Sequence, residues 1–470
     1  MSNKSILVIL FLLLGSHLSF SQTINIDIDY AHPGIKISGD FTGLSFETRA
    51  VVKDTSFTAS NTVLENLIKL LGNGILRIGG NSVENSVFTF NKRNKYTGQD
   101  SITADDIDRV FSFAKKTGWK VIFGLNLGKF DPKLAAIEAQ YAWKYKSQIH
   151  SFEIGNEPNH FIQHQTRDSS WGYSNFKTEF ETYAKTINNL VPDAPFSGPV
   201  TASNYIPWFI NFAKDESQNV CLLTHHNYPM SPANGSVPQM LSQKLMLTTS
   251  GLFKNLVSIS ADQNKKFRLA ECNSVYNGGL LGVSNSFASA LWGADFMFTL
   301  AQSGAVGINF HTGATNAYTP ISFSKKVYTA KPLFYGMMLF RLGSEGNFLP
   351  VKVSDTLANI SCYAVRDSLG EVTFTLINKD TLRSYNIKIT LSGISDFSSC
   401  SILRLKAPSV YSTSGVTLGG DSVKYDGTWV PKNNERLNTD VKGNFIITVD
   451  AGSAASIHFP STAGVLKKDE

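Results

Sequence analysis

Two glutamates stand where carboxyl groups could work on one bond. Glu157 closes the run Ile149-His-Ser-Phe-Glu-Ile-Gly-Asn-Glu-Pro-Asn159, and Glu271 follows Phe267-Arg-Leu-Ala270. Each ends a short apolar stretch that suits a buried strand. Pro158 stops the first one, because proline carries no N–H and forces its predecessor extended. Retaining hydrolysis of a glycosidic bond needs such a pair: one carboxylic acid protonates the leaving oxygen while a carboxylate about 5–5.5 Å away attacks the anomeric carbon. Glu157 is then the acid/base and Glu271 the nucleophile. The charge of Glu271 is expected to raise the Glu157 carboxyl, and that push ends once Glu271 is esterified, turning Glu157 from donor to base.

Neighbouring residues suit supporting roles. Asn156 can both donate and accept, which fits a sugar hydroxyl. Tyr228, two residues after His226, is placed to donate to Glu271. Arg77 either does the same from the other side or forms a structural ion pair inside the fold. His225-His226 has no further ligand at suitable spacing, and His160 and His164, four apart, lack a partner, so they read as surface histidines. Neither a metal nor a cofactor is expected. Gly72-Asn-Gly74 lacks the spacing of a phosphate loop.

The elements that must position these groups alternate strand and helix. Strands are expected at Gly43–Phe46 (ending on Glu47), Gly74–Gly80, Trp119–Leu125, Ile149–Ile154, Pro195–Pro199, Val220–Thr224, Phe267–Ala270 and Val306–Phe310. Helices fall between them, among them Asn61–Leu71, Thr103–Lys116 with a capping threonine, Tyr173–Leu190 and Phe287–Ala301. Eight such repeats over about 300 residues predict a (β/α)8 TIM barrel, whose chemistry sits at the C-terminal ends of its strands. After Leu342 the texture becomes short strands with Gly/Ser/Asp turns, the mark of an all-β sandwich. Thr23–Tyr30 alternates Ile24, Ile26, Ile28 and Tyr30 on one face and is expected to join that sandwich. The expected boundaries are 1–21 for a signal peptide, 22–38 for the N-terminal strand, 39–342 for the barrel and 343–470 for the sandwich.

The 470 residues are 42% hydrophobic, 17% charged and 11% aromatic, an ordinary globular composition with room for a large and a smaller domain. The net charge of +6 is too weak and dispersed for nucleic acid, and is compatible with an anionic substrate. Lys4, the apolar run Ile6–Leu14 and Ser19-Phe20-Ser21 read as a secretory signal cleaved before Gln22, too short to span a bilayer. The expectation is an exported protein without a membrane anchor. Cys221, Cys272, Cys362 and Cys400 are too few for a disulfide scaffold and read as buried free thiols.

Gly43-Leu-Ser-Phe-Glu47, Leu76-Arg-Ile-Gly-Gly80, Gly155-Asn-Glu-Pro158, Ala270-Glu-Cys-Asn-Ser274 and Val416-Thr-Leu-Gly-Gly-Asp421 with Asp426-Gly-Thr-Trp429 occur in this order. Together they resemble the heparanase-like retaining glycosidases, glycoside hydrolase family 79, and in particular its bacterial exo-β-glucuronidases. The resemblance covers nearly the whole chain after the leader. It implies that Tyr276, Gly278 and Tyr318 grip the C6 carboxylate of glucuronate, and that Glu47 accepts hydrogen bonds from outer ring hydroxyls. Asn227-Tyr228 departs from the Tyr-Tyr pair of animal heparanase, which leaves open which tyrosine touches the nucleophile. No excised linker is visible, so a blocked, exo-acting pocket is expected, taking a glucuronate-containing oligosaccharide or glycoconjugate. A neutral β-xyloside or β-galactoside as substrate is the alternative on the same barrel. A non-catalytic carbohydrate-binding protein is a second alternative, disfavoured because a binding site gains little from two adjacent like charges.

Overall fold

The computed structural model describes residues 23–461 apart from 54–56, 59, 92–100, 204–205, 314, 325–326, 395–396 and 442. The leader read at 1–21 lies outside the described residues. The first strand, β1 (Thr23–Asp29), buries Ile24, Ile26 and Ile28 and turns its polar residues outward, as strict alternation requires.

Eight parallel strands then close a barrel in chain order: β2 (Thr42–Glu47), β3 (Gly74–Gly79), β4 (Lys120–Leu125), β5 (Ile149–Ile154), β6 (Phe196–Thr201), β7 (Leu222–Asn227), β8 (Lys266–Cys272) and β9 (Gly307–Thr312). β9 returns to β2 with His311 opposite Ser45, so no edge is left exposed. Helices start where the sequence supplies caps. Asn61 accepts from the Leu64 N–H at 3.2 Å ahead of Thr62–Leu70, and Thr103 and Asp106 form a reciprocal capping box ahead of Ala104–Thr117.

Three strands run further than their apolar stretches. β6 continues two residues past Pro199, β7 reaches Asn227 and β8 reaches Cys272. Most of the added residues are polar, and their neighbours supply partners for Glu271, His225 and one nitrogen of His226. His225 lies between Thr201 Oγ1 at 3.0 Å and the Ser203 carbonyl at 2.7 Å, so a buried imidazole is satisfied within the strand. The register slips between Leu269 and Glu271, an irregularity of the kind that re-aims side chains beside active sites.

The C-terminal residues form two sheets. One holds β1 between Val351–Val353 and Tyr385–Ser392, with Phe445–Val449 beyond. β1 runs parallel to Tyr385–Ser392, pairing Ile24 with Ile387. The other is a seven-stranded sheet around Val372–Asn378 and Ser453–Phe459. Lys379 reaches back to Asp295 in the barrel helix Ala288–Gln302 at 2.5 Å, and Tyr363 donates to the same carboxylate at 2.6 Å. The barrel and the sandwich thus share a buried ion pair. All four cysteines are free; Cys272 and Cys400 are buried as expected, whereas Cys362 is half-buried and Cys221 is exposed. No helix among the described residues is long and apolar enough to cross a membrane.

Candidate active site

Glu271 projects from the end of β8 and both of its oxygens are held. Arg77 Nη1 donates to Oε2 at 2.6 Å, and Tyr228 Oη donates to Oε1 at 2.7 Å. Arg77, fully buried on β3, also donates through Nε to Glu153 at 2.7 Å and through Nη2 to Asn156 Oδ1 at 2.8 Å. The two roles weighed for Arg77 are therefore both filled by one fork, a geometry lysine cannot reproduce. Burial works against its charge, but Glu153 and Glu271 outweigh burial and hold the guanidinium protonated above its usual range. Burial and the Glu271 charge likewise push the Tyr228 phenol up, so it stays a donor.

Glu157 lies three residues past β5, on a turn whose shape is unusual. Its φ of 48° and ψ of 52° are left-handed, a conformation that costs a non-glycine residue about 1 kcal/mol or more. The turn is pinned from below: the Glu157 N–H donates to the Val200 carbonyl at 3.0 Å. Glu84 accepts the N–H groups of Asn156, of Leu127 at 3.1 Å and of Gly128 at 2.6 Å. Burial pushes the Glu84 carboxyl up to about 7 against those three donors, which pull it down. Asn156 is itself buried. Its Oδ1 accepts from Arg77 and its Nδ2 donates to Asn81 at 2.9 Å, so it joins the Glu271 network to the Glu157 turn.

Two imidazoles flank the Glu157 carboxyl. His226 Nδ1 is 2.9 Å from Oε1 and His160 Nδ1 is 3.4 Å from Oε2. Burial raises this carboxyl, but hydrogen bonds and charge from the two histidines outweigh burial and hold it below the carboxylate range. The expected upward push from Glu271 is thus overridden by neighbours on β7 and on the Pro158–His160 turn. His160 is corrected as well: it is half-buried and has Glu157 as its partner, while His164 is exposed, as expected of a surface histidine, at the rim of the same pocket.

The pocket between the two glutamates encloses about 800 Å³. One carboxylate oxygen of Glu157, one of Glu271 and a ring nitrogen of His226 lie within 4.8 Å of one another. Tyr276, Gly278 and Tyr318 line the same cavity, Tyr276 exposed and Tyr318 buried with its hydroxyl 3.2 Å from Asn316 Nδ2. Gly278 has φ 86° and accepts the Ala317 N–H at 2.8 Å, which ties the loop after β8 to the loop after β9. Glu47, at the end of β2, accepts from Ser82 N at 2.8 Å and Ser82 Oγ at 2.5 Å. Burial raises its carboxyl, but His311 and Ser82 outweigh burial and bring it down to about 2.

His311, Glu84 and Asn316 were not found by reading the sequence. His311 stands between Glu47 Oε1 at 3.6 Å and Glu271 Oε2 at 3.4 Å. Burial lowers this imidazole, but the two carboxylates outweigh burial and raise it above its usual range. It sits one residue past the apolar run of β9, the same strand-end position that singled out Glu47 and Glu271. Glu84 has no comparable signal, since only the folded turn brings three N–H groups to it.

The family model "Glycosyl hydrolase family 79, N-terminal domain" matches residues 48–297, and "Glycosyl hydrolase family 79 C-terminal beta domain" matches residues 362–455. A β-glucuronidase of Aspergillus niger is 25% identical over 433 residues, covering 78% of this chain and 79% of that protein. Heparanase of Mus musculus is 27% identical over 210 residues, 42% of this chain and 39% of its own. Among solved structures, 4-O-α-L-rhamnosyl-β-D-glucuronidase from Fusarium oxysporum shares the fold with a TM-score of 0.76 at 21% identity, over 93% of this chain and 99% of that one. An α-L-arabinofuranosidase of Thermotoga maritima gives 0.69 at 14% identity, over 93% of this chain and 99% of that one, so the barrel with its sandwich is common to several specificities. With one family model lying on the barrel and its companion on the sandwich, the chain belongs to glycosyl hydrolase family 79 and is a glycoside hydrolase.

Proposed function

We propose that the protein is a retaining exo-β-glucuronidase, removing terminal β-linked glucuronic acid from a glycan or glycoconjugate by double displacement. The observation that carries this reading is the approach of Glu157 and Glu271 to within 4.8 Å in one pocket. That spacing suits direct attack, whereas an inverting pair stands about 6.5–9.5 Å apart to admit a water. Glu271 attacks the anomeric carbon, and the electron pair of the broken bond leaves with the glycosidic oxygen, which takes a proton from Glu157. Because His226 and His160 draw Glu157 towards its ionised form, the enzyme carries that proton only in its minor, protonated form. Water, deprotonated by Glu157, then cleaves the glycosyl ester and returns Glu271 as a carboxylate.

The C6 carboxylate falls to Tyr276, Gly278 and Tyr318, because phenol O–H and backbone N–H donors suit a carboxylate without an arginine. Glu47 takes outer ring hydroxyls. The β-glucuronidase relative favours glucuronate over a neutral sugar. The leader sequence supports export, with the mature chain beginning at Gln22. Glu271→Ala is expected to fold normally and to release no nitrophenol from nitrophenyl β-glucuronide; release at the wild-type rate refutes the nucleophile. A panel with the matching β-glucoside and β-xyloside tests the sugar, and an α-anomer as first product by NMR refutes retention.

A further inference from the structure

We propose that Glu157, His160 and His164 form a binding site for a divalent transition-metal ion of the zinc class, and that the bound ion switches hydrolysis off. The inhibition rests on Glu157 being the acid/base; the binding stands on geometry alone. His160 and His164 occupy one helical turn, the His164 N–H donating to the His160 carbonyl at 2.9 Å, with ring centroids 5.9 Å apart and the edge of one ring towards the face of the other. One ligating atom from each of the three residues lies within 4.8 Å of the other two. Zinc bonds of about 2.0–2.1 Å put tetrahedral ligand atoms about 3.4 Å apart. His160 Nδ1 and Glu157 Oε2 already stand at 3.4 Å. The His164 ring is exposed and can close the remaining edges by a side-chain rotation.

The donor set selects the ion. Two imidazoles and one carboxylate suit zinc, cobalt, nickel and copper, whereas calcium and magnesium require mostly oxygen. The other Glu157 oxygen is held by His226 at 2.9 Å, an outer contact of the kind that aims metal-binding carboxylates. Glu157, His226 and Glu271 also lie within 4.8 Å of one another. That inner trio is the weaker claim, because Arg77 and Tyr228 occupy both Glu271 oxygens and the guanidinium repels a second cation. An ion at the outer site binds the carboxyl that must deliver the proton and stands beside the pocket. Glu157 is then fixed as a carboxylate with no proton to give.

The test uses the full chain stripped of metal with a chelator. Cobalt(II) titration should give visible d–d absorption, and calorimetry should show zinc binding. Zinc should abolish nitrophenol release from aryl β-glucuronide, and EDTA should restore it. His164→Ala removes an exposed ring and should need at least about tenfold more zinc for both binding and inhibition, the inhibition being read against the variant's own metal-free rate. A variant bound and inhibited at the wild-type zinc concentration overturns the site, as does the absence of cobalt absorption in the wild type. Because the cobalt titration needs no turnover, it separates failure of the metal site from failure of the glucuronidase reading.

Discussion

Tyr228→Phe removes one oxygen and keeps the ring that lies 6.1 Å from Tyr318. Among the described residues, the Tyr228 hydroxyl is the donor that holds Glu271 Oε1, at 2.7 Å, while Oε2 keeps Arg77 at 2.6 Å. A hydrogen bond to a charged acceptor contributes about 1.5–3 kcal/mol. In the proposed double displacement it steadies Glu271 as a carboxylate and does little for it as an ester. Its loss therefore tips the balance towards the glycosyl ester by about 10- to 150-fold. Ester formation does not suffer, since the attacking oxygen no longer has a bond to shed. Ester hydrolysis does, because the departing carboxylate has lost its donor. Stopped-flow with nitrophenyl β-glucuronide should show a burst of nitrophenol close to the enzyme concentration. A steady state slower by about 10- to 100-fold should follow, with KM falling in parallel. Intact mass should reveal the glucuronyl adduct. A fall in kcat without a burst, or with KM rising, refutes the reasoning and makes Tyr228 a substrate-binding group only.

Two further outcomes follow from buried charge. Burial pushes the Glu138 carboxyl, on the helix Pro132–Ala142, up to about 8. The folded chain keeps that proton between roughly pH 4.5 and 8 while the unfolded chain releases it, so this residue lowers stability as pH rises through the window, by on the order of 5 kcal/mol in all. Glu138→Gln should match the wild type in urea denaturation at pH 4 and exceed it at pH 9; equal midpoints at pH 9 refute the shift. Arg77→Met strands Glu153 and Glu271 together in the barrel and should cost about 3–5 kcal/mol at pH 7. Adding Glu153→Gln should recover part of that loss in the same urea titration, and a single variant as stable as the wild type refutes the role of the network.

Much of the barrel was legible because its signals are local. The helix Tyr173–Leu190 begins and ends where the periodicity puts it, and Asn61 and Thr103 mark helix starts by chemistry that acts within three residues. β1 was legible from alternation alone. Strand ends were less so, because apolar content stops before pairing does. β7 carries His225 and His226 into the sheet because Thr201 and Ser203 hold the first ring and Glu157 holds Nδ1 of the second, and no local pattern announces those partners. The same holds for the site. The strand-end glutamates declare themselves, but the lowered Glu157 carboxyl depends on His226, 69 residues away in sequence, and on the backbone turn that aims His160. Glu84 meets its donors across 43 to 72 residues, a distance no spacing rule spans.

The parallel pairing of β1 with Tyr385–Ser392 has a consequence for how the chain comes to fold. Ile24 meets Ile387 363 residues later. A ribosome adding about 5–20 residues per second needs roughly 20–70 s to make that interval. Throughout it, a stripe of three isoleucines waits without its sheet, a sticky segment for any chaperone that holds the emerging chain. Once the late strand arrives, β1 is clasped within the sandwich, and no single cut between barrel and sandwich separates the two.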